Sequence, residues 1–315
     1  MNMKNISPGA LTTVQDLGRY GYMQFGFSAS GAMDARSARI ANLLADNDER
    51  DGVLEMTMLG IKADFDEDCV IALAGADMKP ELNGESVPMY AALEVKAGDV
   101  LSLSPASGGL RCYMAVSGGF DIPLVMGSFS TNLKCAVGGF CGRALRAGDI
   151  LGFRNERKTL FGIASRRLNE EDIPAGSDEI RVVAGPQDDY FTGEGSDTFF
   201  SEAYTLSNAS DRMGLRLEGK SIAAKEKSDI ISDGIALGSV QIPASGKPII
   251  MMADRQTTGG YAKIATVISA DISVLAQKRP GDVIRFKQVS IKEAQKIYKA
   301  QERFFRNLAL SLMRV

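Results

Sequence analysis

The chain has 315 residues, a formal net charge of −3 and an apolar fraction of 45%, enough for a sizeable core and for two domains. This acidic balance argues against nucleic acid or an anionic membrane as a partner. The sequence contains no histidine, which excludes a Ser-His-Asp triad, a Cys-His pair and a histidine-ligated metal within the chain. We predict no metal site, and any acid–base chemistry must use Asp, Glu, Lys, Tyr or Cys, or residues of another chain.

The sequence shows no sign of export or membrane insertion. No apolar run approaches the roughly 18 residues of a membrane span, and the opening MNMKNISPGALTTVQ lacks the apolar core of a signal peptide. The four cysteines form no CxxC pair, and Cys69 and Cys112 lie in apolar runs, where a cysteine is usually a small buried hydrophobe. We therefore expect a reduced, cytoplasmic protein.

The first predicted helix is DARSARIANLLADN (34–47). Its residues Ala38, Ala41 and Leu44 recur at the spacing of one helix face. Asp34 precedes this periodic stretch and is a natural N-cap. We therefore favour a helix-capping role over a catalytic role for Asp34.

Short apolar runs between glycine-rich turns predict a mainly β chain. The strand candidates are CVIALAGA (69–76), LRCYMAVSGG (110–119), EIRVVAG (179–185) and GKPIIMMAD (246–254). One turn pattern occurs three times, as KAGDVLSL (96–103), RAGDILGF (146–153) and RPGDVIRF (279–286). In each copy Gly supplies the turn conformation and Asp can cap the turn through its side chain. The spacing favours barrels or sandwiches over βαβ units.

A second long helix is predicted at the C-terminus, over 290–313. Ser290 and Glu293 form an S-x-x-E capping box, and apolar residues follow at helical spacing. A charged stretch that ends in Pro and Gly, 154–179, is the best candidate boundary. We divide the chain into an N-terminal subdomain (1–165), a linker (166–178), a C-terminal subdomain (179–289) and the terminal helix (290–315).

One stretch, GLRLEGKS (214–221), matches the phosphate-binding pattern G-x-x-x-x-G-K-[ST]. A true P-loop follows a buried strand and opens a helix. Here the middle residues alternate like a strand, and the preceding TLSNASDRM is polar. We interpret the match as coincidental.

Two other segments combine glycines with clustered polar groups. The first, LTTVQDLGRYGYMQFGFSASGAMD (11–34), contains Gln15, Asp16 and Arg19. The second, DRQTTGGYAK (254–263), lies between two apolar runs and is longer than a hairpin turn requires. Each segment is either a loop whose polar groups satisfy one another or a pocket wall, because glycine lets a ligand approach the backbone.

These segments resemble the biotin-dependent carboxyltransferase-like family, whose members include allophanate hydrolase subunit 2, the KipI antagonist KipA and the C subunit of prokaryotic 5-oxoprolinase. The stretches that carry the resemblance, in order, are TVQDLGRYGYMQFGFSASGAMD (13–34), ANLLADN (41–47), LAGAD (73–77), YMAVSGGFDIPLVMGSFSTNL (113–133), GPQDDYF (185–191), SDRMGLRL (210–217), SDGIALGSVQIPASGKPII (232–250) and DRQTTGGYAKIATVISADI (254–272). They cover almost everything before the C-terminal helix.

The resemblance implies a cyclophilin-like β-barrel architecture in two subdomains, with few helices. It also implies work in a complex, as the C subunit of an ATP-dependent 5-oxoprolinase that hydrolyses 5-oxoproline to glutamate with subunits A and B, one of them KipI-like. The chain has no credible nucleotide motif of its own, so ATP is expected on a partner or shared with it. Alternatives are a urea- or allophanate-type carboxyltransferase subunit using biotin from another chain, and a KipA-like binder of a kinase inhibitor.

With the resemblance, the two polar segments are expected to line one pocket that binds a small amide-like substrate. Asp254 is the candidate base, because a carboxylate at a strand end can be partly desolvated, and Lys263 would orient the substrate or offset negative charge. The expected substrate-binding residues are Gln15, Asp16, Arg19, Asp34, Ser130, Thr131, Gln256, Thr257, Thr258, Gly259, Gly260 and Tyr261. Where the family has GSRST this chain has GSFST, and Phe129 in place of arginine argues against an anion-binding role for that loop.

Overall fold

The protein is described by a computed structural model over residues 2–155 and 157–313, and it divides into two compact units. Of the described residues, the first unit takes 2–19, 30–175 and 304–313, and the second takes 20–29 and 176–303. The boundaries set from the sequence at 165, 178 and 289 stay predictions.

The first unit consists of two antiparallel sheets and helical segments. Its elements are β1 (Asn2–Ser7), β2 (Leu11–Gln15), α1 (Ala35–Leu44), β3 (Val53–Thr57), β4 (Lys62–Phe65), β5 (Cys69–Asp77), β6 (Glu81–Leu82), β7 (Glu85–Ser86), β8 (Ala92–Val95), β9 (Val100–Ser102), β10 (Gly108–Val116) and β11 (Ile150–Gly152). One sheet has the order β11-β1-β4-β9-β6-β7 and the other β2-β3-β10-β5-β8. Apolar residues of both sheets form one buried core.

Strand β5 is buried on both faces, and each face packs against a different part of the first unit. Ile71 and Leu73 belong to the core shared by the two sheets. Ala72 and Ala74 point the other way and pack in the cluster that contains α1. Small side chains on the helix-facing side allow the helix to approach the sheet closely, which explains why this strand reads as a nearly continuous apolar run.

The ends of two helices meet a single buried arginine. Arg166 donates from Nε to the carbonyl of Leu44 (2.9 Å) and from Nη2 to that of Leu43 (2.9 Å), at the end of α1. Its Nη1 donates to the carbonyl of Leu312 (3.1 Å), the last residue of α4 (Ile291–Leu312). A cation at helix C-termini satisfies carbonyls that have no partner within the helix and opposes the helix dipole.

The second unit contains a closed barrel and a separate two-stranded sheet. Its elements are β12 (Glu179–Ala184), α2 (Gly193–Ser201), β13 (Tyr204–Leu206), β14 (Gly214–Glu218), β15 (Asp229–Gly234), β16 (Ser239–Gln241), β17 (Ile249–Met251), β18 (Thr258–Tyr261), β19 (Lys263–Val267), α3 (Ser269–Ala276) and β20 (Val283–Gln288). The barrel order is β12-β19-β16-β17-β14-β13-β20, and the parallel pair of β12 and β20 closes it. Strands β15 and β18, which are not consecutive in the chain, form a separate two-stranded antiparallel sheet.

An aromatic cluster belongs to the buried interior of the second unit. The rings of Phe199 in α2 and Phe286 in β20 stack with centroids 4.3 Å apart, and Tyr204 packs against both. All three side chains are buried. Aromatic stacking adds to the large apolar area that these residues remove from water, and it holds α2 against the barrel.

The three repeated Gly-Asp turns are confirmed as turns that start a strand. Asp99, Asp149 and Asp282 each accept a 2.7 Å hydrogen bond from the backbone N–H three residues earlier. The glycine before each aspartate has a positive φ, between 88° and 92°. That conformation suits the third position of a type II turn, where glycine carries no steric cost. The strands β9, β11 and β20 begin directly afterwards.

Both predicted helix starts are confirmed as well. The Asp34 carboxylate accepts a hydrogen bond from Ser37 N (3.0 Å) at the start of α1. The Ser290 hydroxyl oxygen accepts one from Glu293 N (3.2 Å) at the start of α4. GLRLEGKS enters β14, as its alternating pattern predicted, and is therefore no P-loop. Strands dominate the described residues, so the mainly β, barrel-containing fold with a C-terminal helix is confirmed.

Candidate functional site

In the first unit, the candidate residue Asp16 is bound by the SFST loop. Its Oδ1 accepts hydrogen bonds from Gly18 N (2.8 Å) and Ser128 Oγ (2.8 Å), and also from Ser130 Oγ. Its Oδ2 accepts one from Phe129 N (2.7 Å). The carboxylate is buried. A buried carboxylate with this many donors fixes the loop firmly, because each donor would otherwise lack a partner.

The other candidates of the first unit surround the same loop. Arg19 donates to the carbonyls of Val125 (3.0 Å) and Ser130 (2.7 Å). Gln15 donates to the carbonyl of Thr131 (3.1 Å), and its own side-chain oxygen is buried without a partner. The Thr131 hydroxyl donates to the backbone of the β2 strand. The structure thus brings these five predicted residues together, in contacts with one another; a contact with substrate stays a prediction.

We expect Asp16→Ala to destabilise the first unit by about 3 kcal/mol, because several buried donors lose their common acceptor. Urea unfolding followed by circular dichroism would measure the loss. Asp34→Ala is the matched control, since it removes another buried aspartate of the same unit that caps a helix, at a cost of about 1 kcal/mol. Equal losses in the two variants would show that Asp16 does not hold the loop in this way.

In the second unit, DRQTTGGYAK leaves the barrel after β17 and returns to it as β19. Between these strands it forms β18, which pairs with β15 from Asp229 to Gly234. The backbone N–H of Ile235 donates to the carbonyl of Thr257 (3.0 Å), directly beyond the last residue pair of the two strands. The length of the segment is therefore explained by an additional strand, β18, which pairs with β15 outside the barrel.

Asp254 forms an ion pair with Arg212. Nε of Arg212 donates to Oδ2 (2.8 Å) and Nη2 donates to Oδ1 (3.2 Å). Only 8% of the Arg212 side chain and 12% of the Asp254 side chain are exposed. A two-pronged pair of this kind fixes the carboxylate in one orientation. It leaves further lone pairs on both oxygens for another donor.

Lys263 is a buried lysine whose ammonium group donates hydrogen bonds to the end of strand β15. Nζ donates to Oδ2 of Asp233 (3.0 Å) and to the carbonyl of Gly234 (3.2 Å). Its side chain is 3% exposed, whereas that of Asp233 is 58% exposed. The Lys263 ammonium group and the Gly234 N–H hold the pKa of the Asp233 carboxyl below its ordinary value. The Asp233 carboxyl is therefore ionised at neutral pH, and its pairing with Lys263 is lost as the pH falls through the lowered pKa of Asp233.

Gly259 of the segment lies at a backbone position that other groups approach closely. Neither Gly259 nor Gly260 has a positive φ. A Cβ added at Gly259 would lie 3.0 Å from Nε2 of Gln241 and 3.1 Å from Nε2 of Gln256. Two amide groups therefore lie close to this backbone position, and glycine leaves room for them. Thr258 and Gln256 are exposed and Thr257 is half-buried.

The structure divides the predicted site residues between the two units. Asp254, Lys263 and the residues between them belong to the second unit. Gln15, Asp16, Arg19, Asp34, Ser130 and Thr131 belong to the first. That the two sets line one pocket stays a prediction. Sequence reasoning missed Arg212 and Asp233 as partners, although both lie in stretches that carry the family resemblance.

Other reactive groups are accounted for by burial. Cys69 and Cys112 are fully buried, and burial raises the pKa of the Cys69 thiol to about 12. Their interpretation as small hydrophobes is confirmed.

In the described part of the chain, no group of three or more His, Cys, Asp or Glu side chains could hold a metal ion. No helix over residues 2–155 and 157–313 is long and apolar enough to cross a membrane.

The barrel, the two-sheet unit and these polar segments agree with one known family. The chain belongs to the carboxyltransferase domain family, whose model for subdomains A and B matches residues 25–288. It is similar to the C subunit of 5-oxoprolinase from Escherichia coli, with 40% identity over 98% of both chains. It is also similar to the same 5-oxoprolinase subunit from Haemophilus influenzae, with 39% identity over 92% of both chains.

A solved structure places the same fold inside a much larger protein. The K. lactis urea amidolyase matches with a TM-score of 0.91 and 30% identity over 98% of this chain. This chain spans only 20% of that protein. The family resemblance stated from the sequence is confirmed by these findings.

Proposed function

We propose that this chain is the C subunit of an ATP-dependent 5-oxoprolinase, which converts 5-oxoproline, ATP and water into glutamate, ADP and phosphate. The observation that carries the proposal is the end-to-end likeness to a separate subunit of that name, over 98% of both chains. The proposal includes partner subunits A and B, one of them KipI-like, and the reduced, cytoplasmic setting expected from the sequence.

The side chains of DRQTTGGYAK suit a cyclic amide. The lactam ring offers one N–H and one carbonyl oxygen, and the Gln241 and Gln256 amides that crowd Gly259 offer neutral donors and acceptors. The Asp254 carboxylate, oriented by Arg212, is the candidate acceptor for the proton of the attacking water. Lys263 offers a desolvated positive charge for the oxygen on which negative charge develops.

ATP supplies the activation that an inert lactam needs, by phosphorylating its oxygen so that water can attack the ring carbon. The described residues offer no phosphate cradle of the P-loop type, since GLRLEGKS is strand. We therefore assign ATP binding to a partner subunit or to a site shared with it. The assigned roles of this chain are to hold the ring and to move the proton.

The second candidate is a biotin-dependent carboxyltransferase subunit of the urea or allophanate type. The TM-score of 0.91 against the urea amidolyase favours it. In that case biotin would arrive on another chain, and urea would be the neutral amide held by the same donors. A KipA-like role, binding a kinase inhibitor without turnover, is the third possibility.

Substrate-dependent ATP hydrolysis by the complex of this chain with subunits A and B separates these functions. We expect ADP release that depends on 5-oxoproline and that urea with bicarbonate does not support. Release that requires biotin, bicarbonate and urea would favour the carboxyltransferase. Tight binding of the KipI-like subunit with no hydrolysis of any amide would favour the regulatory role.

A further inference from the structure

Next to Asp254 lies a buried arginine that sequence reasoning left without a role. The side chain of Arg255 is almost fully buried, since the residue is only 7% exposed. Its Nε donates to the carbonyl of Ile235 (3.0 Å) and its Nη1 to that of Met252 (3.3 Å). Its backbone carbonyl accepts a hydrogen bond from the Ser28 hydroxyl (2.8 Å), within the same unit. The guanidinium group is therefore fixed in one orientation.

Arg255 has no carboxylate partner among the described residues. The adjacent carboxylate, Asp254, is paired with Arg212 instead. Another arginine of the unit, Arg181, has its own partner in Asp271. Burial lowers the pKa of Arg255, and the nearby Tyr20 acts in the opposite direction. A buried cation held by carbonyl dipoles alone is costly, so such a group is a candidate for binding an anion from outside the chain.

One nitrogen of Arg255 is available for such an anion. Nε and Nη1 are occupied by carbonyls, whereas Nη2 donates to no described residue. Nη2 is not fully enclosed by the protein, so it keeps some access to solvent. An N–H group of Nη2 can donate a charge-assisted hydrogen bond to one oxygen of a carboxylate.

We propose that Arg255 binds the carboxylate of the substrate through Nη2, an inference that rests on the proposed 5-oxoprolinase function. 5-Oxoproline carries one carboxylate beside its ring, and Arg255 directly follows the candidate base Asp254 in the chain. Urea carries no charge and would leave the buried cation unmatched. The site thus selects an anionic cyclic amide.

The test compares Arg255→Gln with the wild-type chain in the assembled complex. We expect the KM for 5-oxoproline to rise by about 30-fold, because a charge-assisted hydrogen bond is lost, while the KM for ATP stays unchanged. With 2-pyrrolidinone, the same lactam without a carboxylate, the two proteins should perform equally poorly. Arg255→Lys should recover part of the affinity. Arg285→Gln, at an arginine that also donates to a carbonyl, that of Ser201, is the matched control and should change neither constant.

Three outcomes would overturn the proposal: an unchanged KM for 5-oxoproline, an equal loss with 2-pyrrolidinone, or a raised KM for ATP, which would indicate phosphate binding. If the wild-type complex does not use 5-oxoproline, the proposed function fails separately. Binding at Arg255 is then tested on the isolated chain. The ¹⁵N NMR signal of the Arg255 side chain is followed during titration with 5-oxoproline and with 2-pyrrolidinone. A shift with the first ligand alone supports the site, and no shift with either contradicts it.

Discussion

Asp254→Asn should reduce the turnover of the assembled complex by about 100-fold or more, the scale of losing a general base. The carboxylate is oriented by two hydrogen bonds from Arg212 and stands at the point where DRQTTGGYAK leaves the barrel. An asparagine has nearly the same shape and can still accept from Arg212, but it cannot take a proton from water. Glutamate release under saturating 5-oxoproline and ATP would measure the loss.

The same substitution also weakens an ion pair, so its effect on folding needs a control. Asp271→Asn supplies one, because Asp271 is a buried aspartate of the same unit that pairs with Arg181. Both variants should lose stability through the weakened pair, as urea unfolding would record. Only Asp254→Asn should lose turnover. Near-full activity of a normally assembled Asp254→Asn complex would return Asp254 to a purely structural role.

Lys263→Met should also reduce turnover, by about 100-fold, the scale of losing one group that stabilises developing charge. Methionine fills a similar apolar volume without the ammonium group. The partner left behind, Asp233, is 58% exposed and can be solvated, so folding should be little affected. The variant therefore removes the charge and keeps the packing, and steady-state turnover in the assembled complex would report on the charge alone.

Lys287→Met is the matched control for Lys263. Lys287 lies in the same unit and pairs with Glu179, and both side chains are more than half exposed. Its loss should change neither turnover nor assembly. If Lys263→Met is as active as Lys287→Met, the buried amine has only a structural role, in which it joins strand β15 to the barrel.

Features that depend on neighbouring residues were predictable from the sequence. The three Gly-Asp turns, the Asp34 cap and the Ser290 cap each involve groups three residues apart, and each has the expected hydrogen bond. The strand nature of GLRLEGKS followed from its alternation in the same way. Local conformational preferences and short-range hydrogen bonds are sufficient to fix such elements.

The pairings that define the candidate site were not predictable in this way. Asp16 is held by Ser128 across 112 residues, and Asp254 by Arg212 across 42. No periodicity or spacing reports such contacts, because the barrel and the sheets bring the residues together. The resemblance pointed to these stretches, but it named Asp254 and Lys263 without their partners and passed over Arg255. Buried charges show their significance only when their partners, or the lack of them, can be seen.

The central claim, that this chain is a necessary subunit of an ATP-dependent 5-oxoprolinase, is tested most directly by an omission experiment. Glutamate release from 5-oxoproline and ATP is measured with the chain alone, with subunits A and B alone, and with all of them together. The account predicts release only from the complete mixture. Robust turnover by the isolated chain, or undiminished turnover by subunits A and B without it, would contradict the claim.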